Sequence, residues 1–480
     1  MRRSLLAFLA ISSLLLVATG SQASTRPRYG GTVRVLLRHK ITSLDPLRES
    51  DDAATRDRIA GLIFETLTEI DSQGRARPRL ASSWQTDSTG RVWQFNLRPA
   101  TFQDGGAVSA TAAAASLGAA SPEWKVTAIS KESLTIELSS PVPHLPELLA
   151  LPRFSITKRL ANDTLVGSGP YKLGEWQPGE RALLTANDDY WGGRSFPDSI
   201  EFRMGVSLRE HLMERSPGPD HAVELNVDQL RGLEPAQSNQ TLLVSRPTDL
   251  VVLIFLQSGA DTAVKPVRKP VDPRVREAMA YAINRAAINN VLLQRKGAPA
   301  GGLLPQWMTG YEFLFSANQD ADRARKLRAD AGAFPPLALV FDLSDPVMKA
   351  VAERVSVDAR EAGILVQTSG DARVNSKSGR AALNADAVLL RVPLSSLDPT
   401  AAFAAMGDDL ALPADLVSAI VRSARPEDLA EVERKALADY RLVPVVHLSH
   451  AVWINGNVHN WQQLPNGEWD LDRLWVEGTK

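Results

Sequence analysis

The chain contains no cysteine. That excludes disulfides, thiolate metal sites, a thiol nucleophile and lipid attachment through an N-terminal cysteine. It also lacks a long hydrophobic run. The best, an uncharged stretch over residues 5–18 behind Met1-Arg2-Arg3, falls short of the roughly 20 residues that a membrane-spanning helix needs. Ser21-Gln22-Ala23 supplies the small residues that a signal peptidase reads, so residues 1–23 are an expected export signal and the mature chain a free soluble product. No charge imbalance is present either. A net charge of −1 with scattered arginines predicts neither nucleic acid nor an anionic membrane as partner.

Catalytic signatures are missing as well. No serine sits in a GxSxG elbow, and the glycine-rich VGSGPY lacks the Lys-Ser/Thr ending of a phosphate loop and does not run from a strand into a helix. His447 and His450 have a strand spacing that sends them to opposite faces, and His459 lies beyond an Asn-Gly segment, so no metal set is predicted. No cofactor and no enzymatic activity are expected. Repeats and low-complexity segments are absent, and 480 residues allow two or three bodies with sizeable cores.

What is there is organised around residues 78–106, PRLASSWQTDSTGRVWQFNLRPATFQDGG. Trp93, Phe95 and Leu97 alternate with Gln94, Asn96 and Arg98, the period of a half-buried strand, and Asp87-Ser88-Thr89-Gly90 before it is turn chemistry. The stretch from Trp84 to Leu97 therefore predicts a hairpin. Ser109 is placed to cap an alanine-rich helix through Leu117. Upstream, GGTVRVLL predicts an opening strand, SLDP a loop, and Ile59, Leu62, Ile63 and Leu67 a helical face. Downstream, residues 166–176 and 181–185 predict two strands about a Pro-Gly turn.

The composition shifts at residues 250–256, LVVLIFL, a continuous apolar run of the length of a strand covered on both faces. Asp272 and Asn284 are placed to cap helices. Residues 337–343, 346–362 and 364–368 predict a strand, helix, strand unit with parallel pairing. Further strands are expected at 385–392 and 443–448, with helices near 413–423 and 426–440.

PRLASSW, WQFNLRP, FQDGG, GSGPYKLGEW, NDDYWGG and DPRVREAMAYAINRAAI, in this order, resemble the family 5 extracellular solute-binding proteins, the periplasmic peptide and nickel receptors of ABC importers. Gln103 stands where the family usually has His. The resemblance implies an α/β, two-lobed periplasmic-binding-protein fold of type II, the large peptide-binding class, with mixed sheets and an interlobe ligand cleft. It places lobe I at residues 24–254 plus 445–480, with a smaller subdomain at about 46–165, and lobe II at 255–444. It implies a periplasmic monomer that captures an oligopeptide-like or other small organic solute and delivers it to the permease subunits of an ABC transporter. The alternative is a fold relative that feeds no transporter and serves as sensor, scaffold or chaperone.

In the peptide-binding members a Trp and an Asp ahead of a DP dipeptide face the cleft, the Asp holding the ligand's ammonium. The matching stretch, LRVPLSSLDP, places Val392 and Ser395 there, and neither replaces a ring or a charge. The candidate ligand-binding residues are accordingly Arg391, Ser395 and Asp398 in this stretch, Ser50, Asp51 and Asp52 after SLDP, and Trp307, an aromatic where the second lobe borders the cleft. Trp84, Trp93, Trp176 and Trp191 fall inside fold-defining motifs and are expected to be structural.

Overall fold

The computed structural model describes residues 26–50, 52–205, 221–230, 240–256, 269–311 and 313–477. The expected export signal at 1–23 and the candidate Asp51 lie outside the described residues.

The hairpin forms where the alternation predicts it. Ala81–Thr86 pairs antiparallel with Val92–Leu97, and the Asp87 carboxylate closes the turn by accepting the Arg91 and Val92 N–H groups at 3.1 Å each. Trp93, Phe95 and Leu97 are buried in one apolar cluster with the Ala110–Ala120 helix, which Ser109 caps through the Ala112 N–H. Ser133–Glu137 and Lys125–Ala128 complete a four-stranded sheet. The helix expected over residues 59–67 is different: it runs Ala53–Ala60 from an Asp52 cap. It stops there because the Leu62 and Ile63 carbonyls are taken from outside, by the Tyr171 N–H (3.1 Å) and the Gly169 N–H (2.9 Å).

Two larger sheets hold the remaining strands of length. The first is seven-stranded, in the order Tyr171–Gln177, Arg181–Ala186, Ser199–Met204, Thr32–Leu37, Ala222–Leu225, Ala451–Asn455, Gln240–Val244. Thr32–Leu37 runs parallel to both its neighbours. The second is six-stranded, in the order Gly297–Pro299, Leu442–Leu448, Asp249–Phe255, Ala387–Val392, Leu337–Phe341, Val366–Gly370. Leu337–Phe341 is parallel to Val366–Gly370, through the Pro346–Glu361 crossover helix, and to Ala387–Val392.

The lobe boundaries read from the sequence shift accordingly. Residues 249–254 and 445–448, assigned there to the first lobe, lie inside the second sheet, where Asp249–Phe255 is flanked by Ala387–Val392 and Leu442–Leu448. A run apolar at every position is the signature of a strand covered on both faces, and residues 250–255 of the run, which form the strand with Asp249, are all buried. The chain thus crosses between sheets at 245–248 and 449–450. The two crossings lie side by side: Ser245 N–H donates to the His450 carbonyl and His450 N–H to Ser245 Oγ, each at 2.8 Å.

Among the elements that the sequence did not lead one to expect, one bears on a candidate residue. Asp398-Pro399 starts a helix, Pro399–Met406, whose Ala401 joins the apolar cluster of the four-stranded subdomain.

Candidate functional site

Parallel strands present their side-chain-rich loops at their carboxyl ends, where open α/β sheets bind ligands. Here the carboxyl ends of both sheets face each other. Arg38, His39 and Lys40 follow Thr32–Leu37, Gly205 follows Ser199–Met204, and Glu224 and Asn226 end Ala222–Leu225. Opposite them, Asp342 to Pro346 follow Leu337–Phe341, Ala372 to Ser376 follow Val366–Gly370, and Arg391 and Pro393 end Ala387–Val392. Between these loops lie two communicating cavities, an inner one of about 70 Å³ and an outer one of about 600 Å³. Arg38, His39, Asp52 and Asn375 line both.

The inner cavity is surrounded by an ionic network. Arg391 lies between Asp249 (2.7 Å) and Asp345 (3.3 Å), with all three side chains almost fully buried. Asp249 also meets His450 Nε2 at 2.7 Å, directly at the crossing. Asp345 accepts from Asn226 Nδ2 of the facing sheet at 3.1 Å and caps the Pro346–Glu361 helix. Glu224 receives Arg58 at 2.9 Å and the Arg38 N–H at 3.2 Å. Burial alone would raise these carboxyls, but His450 and Arg391 hold Asp249 well below the usual range. In the same way Arg391, Arg38 and His39 hold Asp345 at about 2, and Arg58 and Arg38 keep Glu224 low. Asp342 is used too, by Ser344 and by Asn375 Nδ2 (2.8 Å).

A second bridge joins the halves at the rim. Glu49 accepts the Lys377 N–H (2.6 Å), the Ser378 N–H (3.1 Å) and Ser378 Oγ (2.7 Å). The Ser378 hydroxyl is the main cause that lowers its pKa, so the latch is fully formed above the ordinary value of 4.5 and weakens as pH falls below it. Glu49→Ala is expected to weaken solute affinity about two- to tenfold at neutral pH, the effect of a few net hydrogen bonds, with wild-type unfolding in urea. Titration calorimetry checks this; equal affinity removes Glu49 from closure.

The structure separates the sequence candidates. Arg391, Ser50 and Asp52 line the inner cavity, and Asp52 lines the outer one as well. Arg391 is there as a paired structural charge with no partner to spare for solute. Asp52 caps the Ala53–Ala60 helix and lies 3.7 Å from His39 Nδ1. Trp307, Ser395 and Asp398 line neither cavity. Trp307 Nε1 donates to the Pro247 carbonyl (2.8 Å) and Arg246 covers its ring, so it braces a crossing. Ser395 is half-buried in the loop before Pro399.

Asp398 caps the Pro399–Met406 helix through the Ala401 N–H (2.7 Å) and faces His144 Nδ1 of the subdomain at 3.5 Å. The expectation that it touches solute gives way to a capping role, because Asp before Pro is a helix start. Asp398→Ala should cost about 1 kcal/mol of stability and leave solute affinity unchanged; a calorimetric loss of affinity would return it to the site.

The sequence reading missed Arg38, Lys40, Glu224, Asp249, Asp345 and His450. A usable signal was the RHK triplet directly after an apolar strand. His447 is buried and pushed down to about 4 by burial, while His459 stacks on Trp475. Among the described residues no three His, Asp or Glu side chains group as metal ligands.

A two-sheet α/β body with its cavity between facing strand ends, joined by two adjacent crossings, has the architecture of a solute-binding protein. The family model for bacterial extracellular solute-binding proteins, family 5, matches residues 75–410, and the chain belongs to that family. It is 25% identical to the nickel-binding periplasmic protein of Escherichia coli over 77% of this chain and 75% of that one. It is 24% identical to the periplasmic oligopeptide-binding protein OppA of Salmonella typhimurium over 63% of each. Against that relative and several others the match spans less than two thirds of their length. The fold superposes on the oligopeptide-binding protein AppA of Bacillus subtilis, solved with a nonapeptide, with a TM-score of 0.78 at 17% identity, covering 94% of this chain and 100% of that one.

Proposed function

We propose that the chain is the periplasmic solute receptor of an ABC importer, capturing a small organic solute between two lobes and presenting it to the permease subunits without making or breaking covalent bonds. The lobes are residues 26–248 with 449–477, and 249–448. The observation that carries this is the outer cavity of about 600 Å³, walled by strand-end loops of both sheets, a size suited to a small-molecule ligand. Two adjacent crossings form a hinge, and enclosure from both sides turns modest contacts into affinity and a signal of loading. Export through the leader at 1–23 puts the receptor in the periplasm, and among the described residues no helix is long and apolar enough to cross a membrane.

The test is small-angle scattering of the stripped protein with and without solute pools from its growth medium. The receptor reading expects one pool to lower the radius of gyration and raise the melting temperature together. If no pool moves either quantity, the reading fails.

A further inference from the structure

The outer chamber has an unusual lining. Among the described residues its charged side chains are Arg38, Lys40 and Arg373 against one carboxylate, that of Asp52, with His39 beside them. Arg373 is answered locally by Asp371 at 2.6 Å. Lys40 has no ion-pair partner among the described residues. The Arg38 guanidinium reaches only the edge of Glu224, at 3.9 Å, and Glu224 is already engaged by Arg58; Arg38 Nε donates to nothing among the described residues. Lys40 is therefore left facing the chamber without an ion pair, and Arg38, although its charge helps hold Glu224 and Asp345 ionised, keeps an Nε–H with no acceptor among the described residues. The rest of the described lining is amide, hydroxyl or small: Asn226, Gln229, Asn375, Ser344 and Ser376 carry its polar groups, and no aromatic or branched aliphatic side chain is part of it.

The inner cavity gives the complementary half of the argument. An α-ammonium needs a carboxylate with capacity to spare, because an unpaired charge in a closed site is costly. Asp249, Asp345, Glu224 and Asp342 are each occupied by the chain's own Arg391, His450, Arg58, Asn226 or Asn375; of the other two carboxylates lining it, Asp409 lies 3.7 Å from Arg380 and Asp52 accepts the Thr55 N–H at 2.6 Å and lies 3.7 Å from His39. About 70 Å³ leaves room for water or a group of a few atoms.

We propose that the solute is a small polar organic anion, rich in hydroxyl or amide groups, whose carboxylate is held by Arg38 and Lys40 in the outer chamber, and that the free α-ammonium of a standard peptide is not what this cleft recognises. The inference rests on the receptor reading above. A carboxylate meeting Arg38 gains charge-assisted hydrogen bonds in a partly desolvated space, and the amides and hydroxyls around it satisfy the solute's remaining polar groups.

The experiment uses the exported protein, stripped by unfolding and refolding. Spent growth medium is separated by ion exchange at pH 7 into anionic, neutral and cationic pools, and each is titrated in a thermal-shift assay. The anionic pool is expected to raise the melting temperature, and Lys40→Gln and Arg38→Gln each to increase the amount giving half-maximal shift by about tenfold or more. Lys40 is exposed, so Lys40→Gln should melt like wild type without solute. A shift produced by the cationic or neutral pool alone, or an anionic shift indifferent to both substitutions, overturns the anion assignment and leaves the receptor standing. If no pool shifts the protein, the receptor reading fails and this inference with it.

Discussion

Replacing Arg391 with methionine is expected to destabilise the protein by about 3–5 kcal/mol, the cost of leaving buried charge without its partner. Arg391 is the cation between Asp249 and Asp345, whose side chains are 3% and 2% exposed, so neither carboxylate is open to bulk solvent. Both have pKa values depressed by the fold. Their stabilisation is therefore complete above the ordinary value of 3.8 and is lost as pH falls, for Asp345 towards about 2. Urea unfolding should show a gap between wild type and Arg391→Met that is constant from pH 8 to about pH 5 and narrows at more acid pH, where the orphaned carboxylates take up protons. Adding Asp345→Asn to Arg391→Met should restore part of the loss. A gap under about 1 kcal/mol would place this pair among the inconsequential surface salt bridges.

Gly167→Val is the other severe case, with an expected loss of at least about 4 kcal/mol. The reason is steric. A Cβ on Gly167 would sit 2.0 Å from the Ile63 carbonyl oxygen and 2.7 Å from Phe64 Cδ1, and one on Gly169 would lie 2.5 Å from the Leu62 carbonyl oxygen. The glycines of GSGPY let two backbones touch, which is also why the helix before Leu62 cannot continue. Glu65, wholly buried beside this contact, gathers Ser168 Oγ (2.7 Å), Tyr190 OH (3.0 Å) and Trp191 Nε1 (3.1 Å), so a shift there would be transmitted widely. Gly118 gives the opposite sign. It lies within the Ala110–Ala120 helix with nothing within 4 Å of an added Cβ, so Gly118→Ala should stabilise by about 0.5–1 kcal/mol. Thermal melts of the two variants check both directions; a Gly167→Val protein melting near wild type would refute the close approach.

The local parts of this fold were legible in the sequence. Alternation gave the Val92–Leu97 strand, and Ser109, Asp272 and Asn284 each cap the helix they were expected to cap. All but the last residue of the uniformly apolar run at 250–256 is indeed in a strand covered on both faces, but its sheet could not be read, because pairing with residues near 390 and 445 leaves no local trace. The cleft was the least visible part for the same reason. Arg38, Glu224, Asp249, Asp345 and Arg391 meet across long sequence separations, and each is unremarkable where it stands. Asp398 misled because the Asp-Pro pattern is a helix start, and its proximity to a family motif says nothing about which way its carboxylate is used. Arg391, a candidate for solute contact in the sequence, lines the inner cavity and is paired there with Asp249 and Asp345.

Closure about the two crossings is tested most directly by distance measurement between the lobes. A cysteine-free chain accepts two introduced cysteines as the only labelling sites, and Leu47, in the loop before the Ala53–Ala60 helix, and Val357, on the Pro346–Glu361 helix, are about half exposed and suitable. Double electron–electron resonance on the Leu47→Cys/Val357→Cys protein should give a broad, longer distribution without solute, collapsing to the separation of the present structure when the thermally stabilising pool is added. A single narrow distance, unchanged by a pool that does raise the melting temperature, would contradict a hinged receptor.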